Sequence, residues 1–317
     1  MTPRANAAEQ SIAKHSKSFA LASRVLPPSS RGHAVALYAW CRRADDAVDL
    51  VPPERQAEAL QALREELNDV YGGAALADPV LALFQATARE RGVPRQYAED
   101  LLTGMAMDVR GQRYETMDQL LAYCYHVAGC VGLMMCHIMG IRDDRSLARA
   151  AHLGIAMQIT NICRDVLEDW ERDRLYIPDD VLRTYDGGGL AEQLGGPFPP
   201  EAVQPVSAAI ELLLDEADRY YASGDAGVPD LSWRCSMAIR TARRVYSSIG
   251  QRVRRVGCDP TAGRQYVPLG RKLVLMTSSI LTSLVVAPWQ RLGVRPVSDP
   301  ERVLSFPNDI LPLEQHT

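Results

Sequence analysis

The sequence predicts an all-α protein that folds as a single helical bundle. Alanine, leucine, methionine, glutamate and arginine recur at helical spacing over most of the 317 residues. Runs that alternate apolar and polar residues, as strands do, are few. Short clusters of proline and glycine divide the chain into pieces of helical length. Because helical bundles build ligand sites between facing helices, we expect any site to lie inside the bundle.

Ten helices are predicted in order along the chain. Most begin or end at proline- or glycine-containing breakers, such as LPPSS, VPP, YGGAALADP, RGVP, GIRDD and AGVPD. The helical pattern resumes after each of these breakers. The predicted helices cover residues 7–22, 30–49, 53–70, 79–91, 95–112, 117–139, 144–172, 200–224, 232–256 and 269–286.

The longest irregular stretch is DGGGLAEQLGGPFPP, residues 186–200, for which we predict a flexible surface loop or flap. No internal repeat, low-complexity tract or convincing domain linker interrupts the helical pattern. We therefore expect one domain over residues 1–290 and a C-terminal tail over residues 291–317.

Composition and charge narrow the class of protein. Hydrophobic residues make up 47% of the chain and charged residues 23%, which is ordinary for a globular protein. The formal net charge is −4, whereas a nucleic-acid binder is expected to carry a basic surface. We therefore expect no nucleic-acid partner.

The seven cysteines are odd in number and include no CxxC pair. This pattern is typical of reduced core thiols in a cytoplasmic protein. A zinc site is the alternative, but the spacing of its four ligands matches none of the usual zinc patterns. Those four residues are Cys124, His126, Cys130 and His137.

Membrane-targeting signals are weak. The N-terminus has no apolar segment of the kind found in signal peptides. The apolar runs that begin at Val127 and Leu273 are shorter than the roughly 18 residues expected of a spanning helix. We expect a cytoplasmic protein, and peripheral membrane contact stays open.

Charge is concentrated in the stretch NICRDVLED, whose neighbours are apolar. Residues four apart lie on one face of a helix, so Asn161, Asp165 and Asp169 form a polar stripe about 12 Å long. Glu168 flanks this stripe, and Arg164 lies beside it. A stripe of this kind in an apolar helix predicts either an exposed charged face or an inward-facing ligand site.

A second stretch, CRRADDAVD, places Asp45 and Asp49 four residues apart on another helix with apolar neighbours. If both acidic stripes face inward, they repel each other unless cations lie between them. Carboxylates together with phosphate oxygens suit Mg²⁺. In the alternative, the acids are exposed and pair with arginines, and two such stripes together make this less favoured. The arginines in question are Arg42, Arg43, Arg164, Arg172 and Arg174.

Four motifs in this order resemble the squalene/phytoene synthase family. They are HSKSF from His15, YAWCRRADDAVD from Tyr38, YCYHVAGCVG from Tyr123 and QITNICRDVLEDWERDRLYIP from Gln158. The resemblance extends from about His15 to Lys272. It implies the all-α isoprenoid synthase bundle, with a central apolar cavity.

The resemblance also implies roles for individual residues. Mg²⁺, or Mn²⁺ in its place, would bridge the two acidic walls to a diphosphate. Tyr38 and Tyr123 would line the reaction cavity and act on a carbocation or on the proton it loses, although a tyrosine in an apolar helix is more often a core residue. The implied metal ligands are Asp45, Asp49, Asn161, Asp165 and Asp169, and the four aspartates are also implied to be catalytic. The implied diphosphate contacts are His15, Lys17, Ser18, Arg42, Arg164, Tyr246 and Arg264.

The reaction implied by the family is head-to-head joining of two prenyl diphosphates through a cyclopropylcarbinyl diphosphate. Details of the motifs are most like the bacterial members that join two C20 geranylgeranyl diphosphates to a C40 carotenoid precursor without NADPH. Small residues at Ala128, Gly129 and Gly132 are expected to leave room for a long tail. Downstream carotenoid enzymes are candidate partners.

Three alternatives stay open at this point. A C30 synthase would use farnesyl diphosphate in the same reaction. A chain-elongating synthase shares DDAVD, but the motif that begins at Asn161 does not fit that class. A non-catalytic scaffold relative would have lost ligands that this chain retains.

Overall fold

The computed structural model describes residues 22–141 and 144–291, without the side chains of residues 284–291. All but the last residue of the predicted helix 7–22 therefore falls outside the described residues, as do most of the tail and the predicted diphosphate contacts His15, Lys17 and Ser18. Within the described ranges every regular element is helical, which confirms the all-α prediction.

The α-helices run one after another along the chain. They are α1 (Pro28–Asp49), α2 (Pro53–Gly72), α3 (Pro79–Arg91), α4 (Arg95–Val109), α5 (Met117–Cys124), α6 (Cys130–Met139), α7 (Asp144–Trp170), α8 (Asp179–Thr184), α9 (Val203–Gly227), α10 (Trp233–Arg255) and α11 (Leu269–Arg291). One π turn (Tyr125–Gly129) joins α5 to α6, and 3₁₀ turns occur at Leu190–Gln193, Pro200–Ala202 and Val228–Asp230.

Local sequence explains several of these helix ends. Proline opens α1, α2 and α3, because its missing N–H and fixed φ suit the first turn. The N-cap of α3 is Asp78, whose carboxylate accepts hydrogen bonds from the backbone N–H groups of Val80 and Leu81 at 2.7 and 3.1 Å. Gly73 and Gly92 end α2 and α3 with φ of 79° and 60°, a left-handed conformation that favours glycine.

The helix predicted over residues 117–139 is present with those bounds, but it is not regular α-helix throughout. The chain widens into a π turn between α5 and α6, where the backbone N–H of Cys130 bonds to the carbonyl of Tyr125. The physical reason lies in tertiary packing: α7 crosses this turn so closely that a Cβ at Gly154 would lie 2.4 Å from the carbonyl oxygen of Ala128. Gly132 has the same close relation to α7, because its Cβ would lie 2.4 Å from the carbonyl oxygen of Ala150.

The stretch Met117–Met139 is long and apolar enough, by length and composition, to cross a membrane. However, 61% of its most apolar window is buried inside the protein, as expected of a core helix. No other stretch in the described part of the chain meets the same test.

Two hydrophobic cores flank the centre of the bundle. One gathers α5, the π turn, α7, α8 and α9, and the other gathers α1 to α4 with α6. In the second core Trp40 stacks on Phe84 with ring centroids 4.2 Å apart. Helix α7 is the central element, since it packs against α6, α9, α10 and the π turn.

The segment 186–200 is mostly exposed, as predicted for a surface loop, and it makes several contacts with the end of α7. It contains the 3₁₀ turn at Leu190–Gln193, and the Leu190 side chain is buried. The indole N–H of Trp170 donates to the carbonyl of Gly196 at 2.8 Å, and Phe198 packs edge-on against the same ring. Burial of Leu190 and packing of Phe198 on Trp170 therefore hold this segment against the end of α7.

Candidate active site

An apolar cavity of about 410 Å³ lies between α1, α4, α6, α7, α9 and α10. Asn161 marks one end of its wall on α7 and Ser146 the other, a span of about 22 Å at 1.5 Å per residue. At the Ser146 end the hydroxyl donates to Asp230 at 2.8 Å, and Arg149 lies 3.6 Å from the same carboxylate. The predicted central apolar cavity is therefore present.

Two of the predicted small residues, Ala128 and Gly132, line this cavity. Gly129 is not part of its lining. A Cβ at Gly129 would lie 2.9 Å from the Tyr125 ring, so this glycine serves packing instead of cavity space. Tyr38 and Tyr246 both contribute to the cavity wall. Tyr38 was expected there, whereas Tyr246, predicted as a diphosphate contact, does not line the polar space beside the cavity.

A polar chamber of about 360 Å³ adjoins the cavity. Asp45 and Asp49 face it from α1, and Asn161, Asp165 and Asp169 face it from α7. The structure thus brings all five predicted metal-ligating residues into one space. The chamber and the cavity share part of their linings, namely Asp45, Leu101, Val127, Gln158 and Asn161.

Two carboxylates of the chamber have raised pKa values. Burial, followed by the charge of neighbouring Asp49, raises the pKa of Asp45 to about 7. Burial and the charge of Asp165 raise the pKa of Asp169 to about 7. By surface area Asp45 is exposed, so its carboxylate can be reached from the chamber. Carboxylates that resist ionisation because of like charge favour a bound cation.

Two arginines neutralise one side of the chamber. The Arg164 guanidinium bonds to Asp165 with an Nε–Oδ1 distance of 2.6 Å. Arg264 reaches the same carboxylate at 3.2 Å and also bonds to Glu168 at 2.7 Å. Both guanidinium groups therefore stand at the rim of the acidic wall, where they can turn to an anion.

Arg42 differs from this pattern. It pairs with Asp46, four residues along α1, and lines neither the chamber nor the cavity. The predicted contact between Arg42 and diphosphate therefore requires this side chain to leave Asp46. Arginine pairing, the alternative reading of these acids, is present in part: Asp46 pairs with Arg42, and within the chamber Asp165 pairs with Arg164 and the exposed Asp49 lies 3.7 Å from Arg174.

Sequence reasoning missed Asp108, on α4, which also lines the chamber. Its carboxylate accepts hydrogen bonds from the phenols of Tyr123 at 3.0 Å and Tyr176 at 2.8 Å. The rings of these two tyrosines stack with centroids 5.1 Å apart. The available signal was a lone acid in the apolar stretch LLTGMAMDV, seven residues after Leu101 and on the same helix face.

Comparison with known proteins identifies the family of this chain. A family model described as squalene/phytoene synthase matches residues 12–272. The chain belongs to the squalene/phytoene synthase family. The resemblance carried by the four motifs is therefore confirmed.

Curated relatives in this family include bacterial carotenoid enzymes. The chain is 42% identical over 265 residues to the 15-cis-phytoene synthase of Paracoccus sp. (strain N81106 / MBIC 01143), covering 81% of this chain and 84% of the relative. It is 40% identical over 281 residues to the phytoene synthase of Pseudescherichia vulneris, covering 86% of this chain and 89% of the relative.

Solved structures agree on the fold. A ligand-bound dehydrosqualene synthase superposes with a TM-score of 0.80 at 29% identity, over 90% of this chain and 97% of that one. A squalene synthase from Alicyclobacillus acidocaldarius gives a TM-score of 0.72 at 26% identity, over 81% and 95% of the two chains. The isoprenoid synthase bundle expected for the family is therefore the fold of this chain.

The donor set of the chamber fits a hard divalent cation of the kind that squalene/phytoene synthases use to ionise a diphosphate. Among the described residues, no three histidine, cysteine, aspartate or glutamate side chains come close enough to enclose a metal by themselves. The acids instead stand on two facing walls, which leaves coordination positions for water and phosphate oxygens. The four ligands of the zinc alternative, all within the described ranges, form no such cluster either.

The raised pKa values of Asp45 and Asp169 predict that protonation of these two carboxylates stabilises the metal-free protein. The pKa values of Asp45 and Asp169 are near 7 in the folded state and near 4 when unfolded, so lowering the pH through 7 adds protons to the folded state alone. In EDTA we expect the Tm to be higher at pH 6 than at pH 8. Saturating Mg²⁺ with diphosphate, at about 100 times the Kd, is expected to add about 2.7 kcal/mol at pH 8 and less at pH 6, because protons compete.

Differential scanning fluorimetry at both pH values measures these shifts. The double variant Asp45→Asn, Asp169→Asn is the control, since its amides do not titrate and its Tm should change less across this pH range. A wild-type Tm that falls from pH 8 to pH 6 by as much as that of the double variant would contradict the prediction.

Proposed function

We propose that this chain is a 15-cis-phytoene synthase, a prenyltransferase of carotenoid biosynthesis. It joins two geranylgeranyl diphosphates head to head and releases two diphosphates and two protons. The main support for this proposal is that an acid-lined chamber adjoins a long apolar cavity. Asp45 and Asn161 line both of them. Such a junction suits a substrate with a diphosphate head and a hydrocarbon tail. The bacterial relatives favour the C40 product.

The chamber binds the diphosphate heads. When bound, Mg²⁺, or Mn²⁺ in its place, neutralises the diphosphate and makes it a better leaving group. Arg164 and Arg264 turn from Asp165 to the diphosphate and donate charge-assisted hydrogen bonds to its oxygens. The proposed cation ligands are Asp45, Asp49, Asn161, Asp165 and Asp169. The further proposed diphosphate contacts are His15, Lys17, Ser18, Arg42 and Tyr246.

The cavity protects the reacting carbon atoms. Loss of the first diphosphate gives an allylic cation, and the alkene of the second substrate attacks it and loses a proton, which yields the cyclopropylcarbinyl diphosphate. Ionisation of that diphosphate, rearrangement and a second proton loss give phytoene. The apolar wall excludes water that would capture either cation. Tyr38 lines the cavity, whereas Tyr123, predicted to line it too, lines the chamber instead. We propose that each offers an electron-rich face or a phenol oxygen to the cations from its own side of the junction.

The last step releases a proton and takes up no hydride, so the reaction needs no NADPH. We propose that residues 1–290 form the catalytic domain and residues 291–317 a tail. Because the product is insoluble in water, we also propose that the enzyme works in the cytoplasm with peripheral contact to a membrane. Enzymes that consume phytoene are the proposed downstream partners.

A product assay tests the proposal. The purified protein is incubated with Mg²⁺ and either geranylgeranyl or farnesyl diphosphate, without NADPH, and the hydrocarbon extract is analysed by mass. We expect a C40 hydrocarbon with three conjugated double bonds from geranylgeranyl diphosphate. Excess EDTA is expected to abolish its formation, and added Mg²⁺ or Mn²⁺ to restore it.

A C30 synthase is the second candidate, because the ligand-bound dehydrosqualene synthase superposes well at a TM-score of 0.80. Preferential turnover of farnesyl diphosphate to a C30 hydrocarbon would establish that candidate and refute the C40 assignment. Absence of hydrocarbon from both substrates would refute catalysis and favour a scaffold relative.

A further inference from the structure

Asp108 stands apart from the two acidic walls of the chamber. It lies on α4, whereas the proposed cation ligands lie on α1 and α7. Its two carboxylate oxygens each accept one phenol: Oδ2 from Tyr123 at 3.0 Å and Oδ1 from Tyr176 at 2.8 Å. The chamber therefore contains one carboxylate that is held by hydrogen-bond donors on two other segments.

The direction of these hydrogen bonds fixes where the phenol protons lie. An ionised carboxylate only accepts, so both phenols donate their single proton to Asp108. Each phenol oxygen keeps its lone pairs, the two phenols also interact with each other, and both tyrosines line the chamber. Arg174 lies near Asp108 and 3.7 Å from Asp49, and its positive charge favours the ionised form of Asp108. Burial acts in the opposite direction and raises the pKa of Asp108, so its carboxylate has an increased affinity for a proton.

Tyr123 is the better placed of the two phenols. It precedes Val127 by four residues, about one turn along the α5 and π-turn segment, and Val127 lines both the chamber and the cavity. Tyr123 therefore stands next to the junction at which a diphosphate head meets its hydrocarbon tail. The chemistry proposed above loses a proton from a carbon atom in a space from which water is excluded.

We propose that Asp108 receives, through Tyr123, the proton lost in the final step that forms the hydrocarbon. The C–H bond beside the cation breaks, its electron pair becomes the new C=C bond, and the proton passes to the Tyr123 oxygen. The original phenol proton moves at the same time to Asp108. Tyr123 ends as a neutral phenol and Asp108 as a carboxylic acid, which returns its proton to water after product release. Asp108 acts through Tyr123 and is therefore a positioning residue, and its role rests on the proposed function.

The variant Asp108→Asn tests this step, because an amide can still accept a hydrogen bond but cannot take the proton. General-base catalysis contributes roughly 10²–10⁴-fold, so we expect the rate of hydrocarbon formation to fall about 100-fold. Release of the first diphosphate should fall much less. Consumed substrate is then expected to appear as the cyclopropylcarbinyl diphosphate or as alcohols formed by water capture. Asp108→Glu, which restores a carboxylate, should recover part of the hydrocarbon yield.

Asp100 supplies a matched control on the same helix. It too accepts a phenol, from Tyr125 at 2.9 Å, but it lines neither the chamber nor the cavity. Asp100→Asn should therefore leave the ratio of hydrocarbon to intermediate unchanged, even if it lowers stability. A merely structural role for Asp108 would lower all rates together, and a wild-type product ratio in Asp108→Asn overturns the proposal.

Two further variants keep the proposal testable if Asp108→Asn does not fold. Tyr123→Phe removes the relay, whereas Tyr176→Phe removes only one hydrogen bond to Asp108. We expect Tyr123→Phe alone to shift the product ratio, and equal shifts in both variants would overturn the proposal. Wild-type protein that forms no hydrocarbon instead refutes the proposed function itself, so the two failures are distinguishable.

Discussion

Replacing Asp165 by asparagine is expected to lower kcat by about 100-fold or more, because loss of one preorganised electrostatic group in an active site costs about that factor. Asp165 lines the chamber and is the acceptor for both Arg164 and Arg264. The amide keeps the shape of the side chain but loses the negative charge that holds a cation. Steady-state release of diphosphate at saturating Mg²⁺ measures the loss.

Glu171→Gln is the matched control for this experiment. Glu171 lies just beyond the end of α7, is exposed and does not line the chamber, and the same acid-to-amide change should leave turnover near that of the wild type. Circular dichroism should show an unchanged helix content in both variants. Wild-type turnover in a folded Asp165→Asn variant would refute the proposed cation site, and Asp45→Asn repeats the test from the opposite wall.

Replacing Gly154 by alanine is expected to destabilise the fold by about 3 kcal/mol or more, the upper range for overpacking in a core. The new Cβ would lie 2.4 Å from the carbonyl oxygen of Ala128 and 2.9 Å from the Cα of Gly129. Both obstacles are backbone atoms, so no side-chain rotation relieves the overlap and α7 must move. Urea denaturation measures the free energy of unfolding.

Gly32→Ala is the control, because Gly32 also lies inside a helix, α1, and a Cβ there meets nothing within 4 Å. That variant is expected to be about 0.5–1 kcal/mol more stable than the wild type, since alanine loses less backbone entropy in a helix. Equal effects at the two glycines would contradict the role assigned to close packing at the π turn.

Local signals made most of the fold predictable. The helix Pro79–Arg91 was predicted to the residue, because a proline begins it and a glycine follows it. The ends of other helices differ by a few residues, where no such signal fixes the boundary. The π turn was not predictable in this way, since it depends on how closely Gly154 of α7 approaches Ala128. The contact of segment 186–200 with α7 was not predictable either, because Trp170 and Gly196 are 26 residues apart in sequence.

In the candidate site, too, some features follow from residue spacing and others only from the folded structure. Residue spacing placed Asp165 and Asp169 on one face, and the structure puts that face in the chamber. Spacing could not identify Asp108, because a single acid near a helix end is usually a surface residue. The pairing of Arg42 with Asp46, by contrast, follows the spacing of four residues that brings side chains together on one helix.

The double pairing of Asp165 also bears on how concentrations in the cell set occupancy of the site. Any cation that takes over this carboxylate releases Arg164 and Arg264, and each released guanidinium gains most from a diphosphate oxygen. Metal and prenyl diphosphate should therefore bind with positive cooperativity, and thermodynamic reciprocity requires each to strengthen the other by the same factor. The protein would then respond to the joint supply of both ligands, and a change in either one alone would leave Asp165 paired with its two arginines.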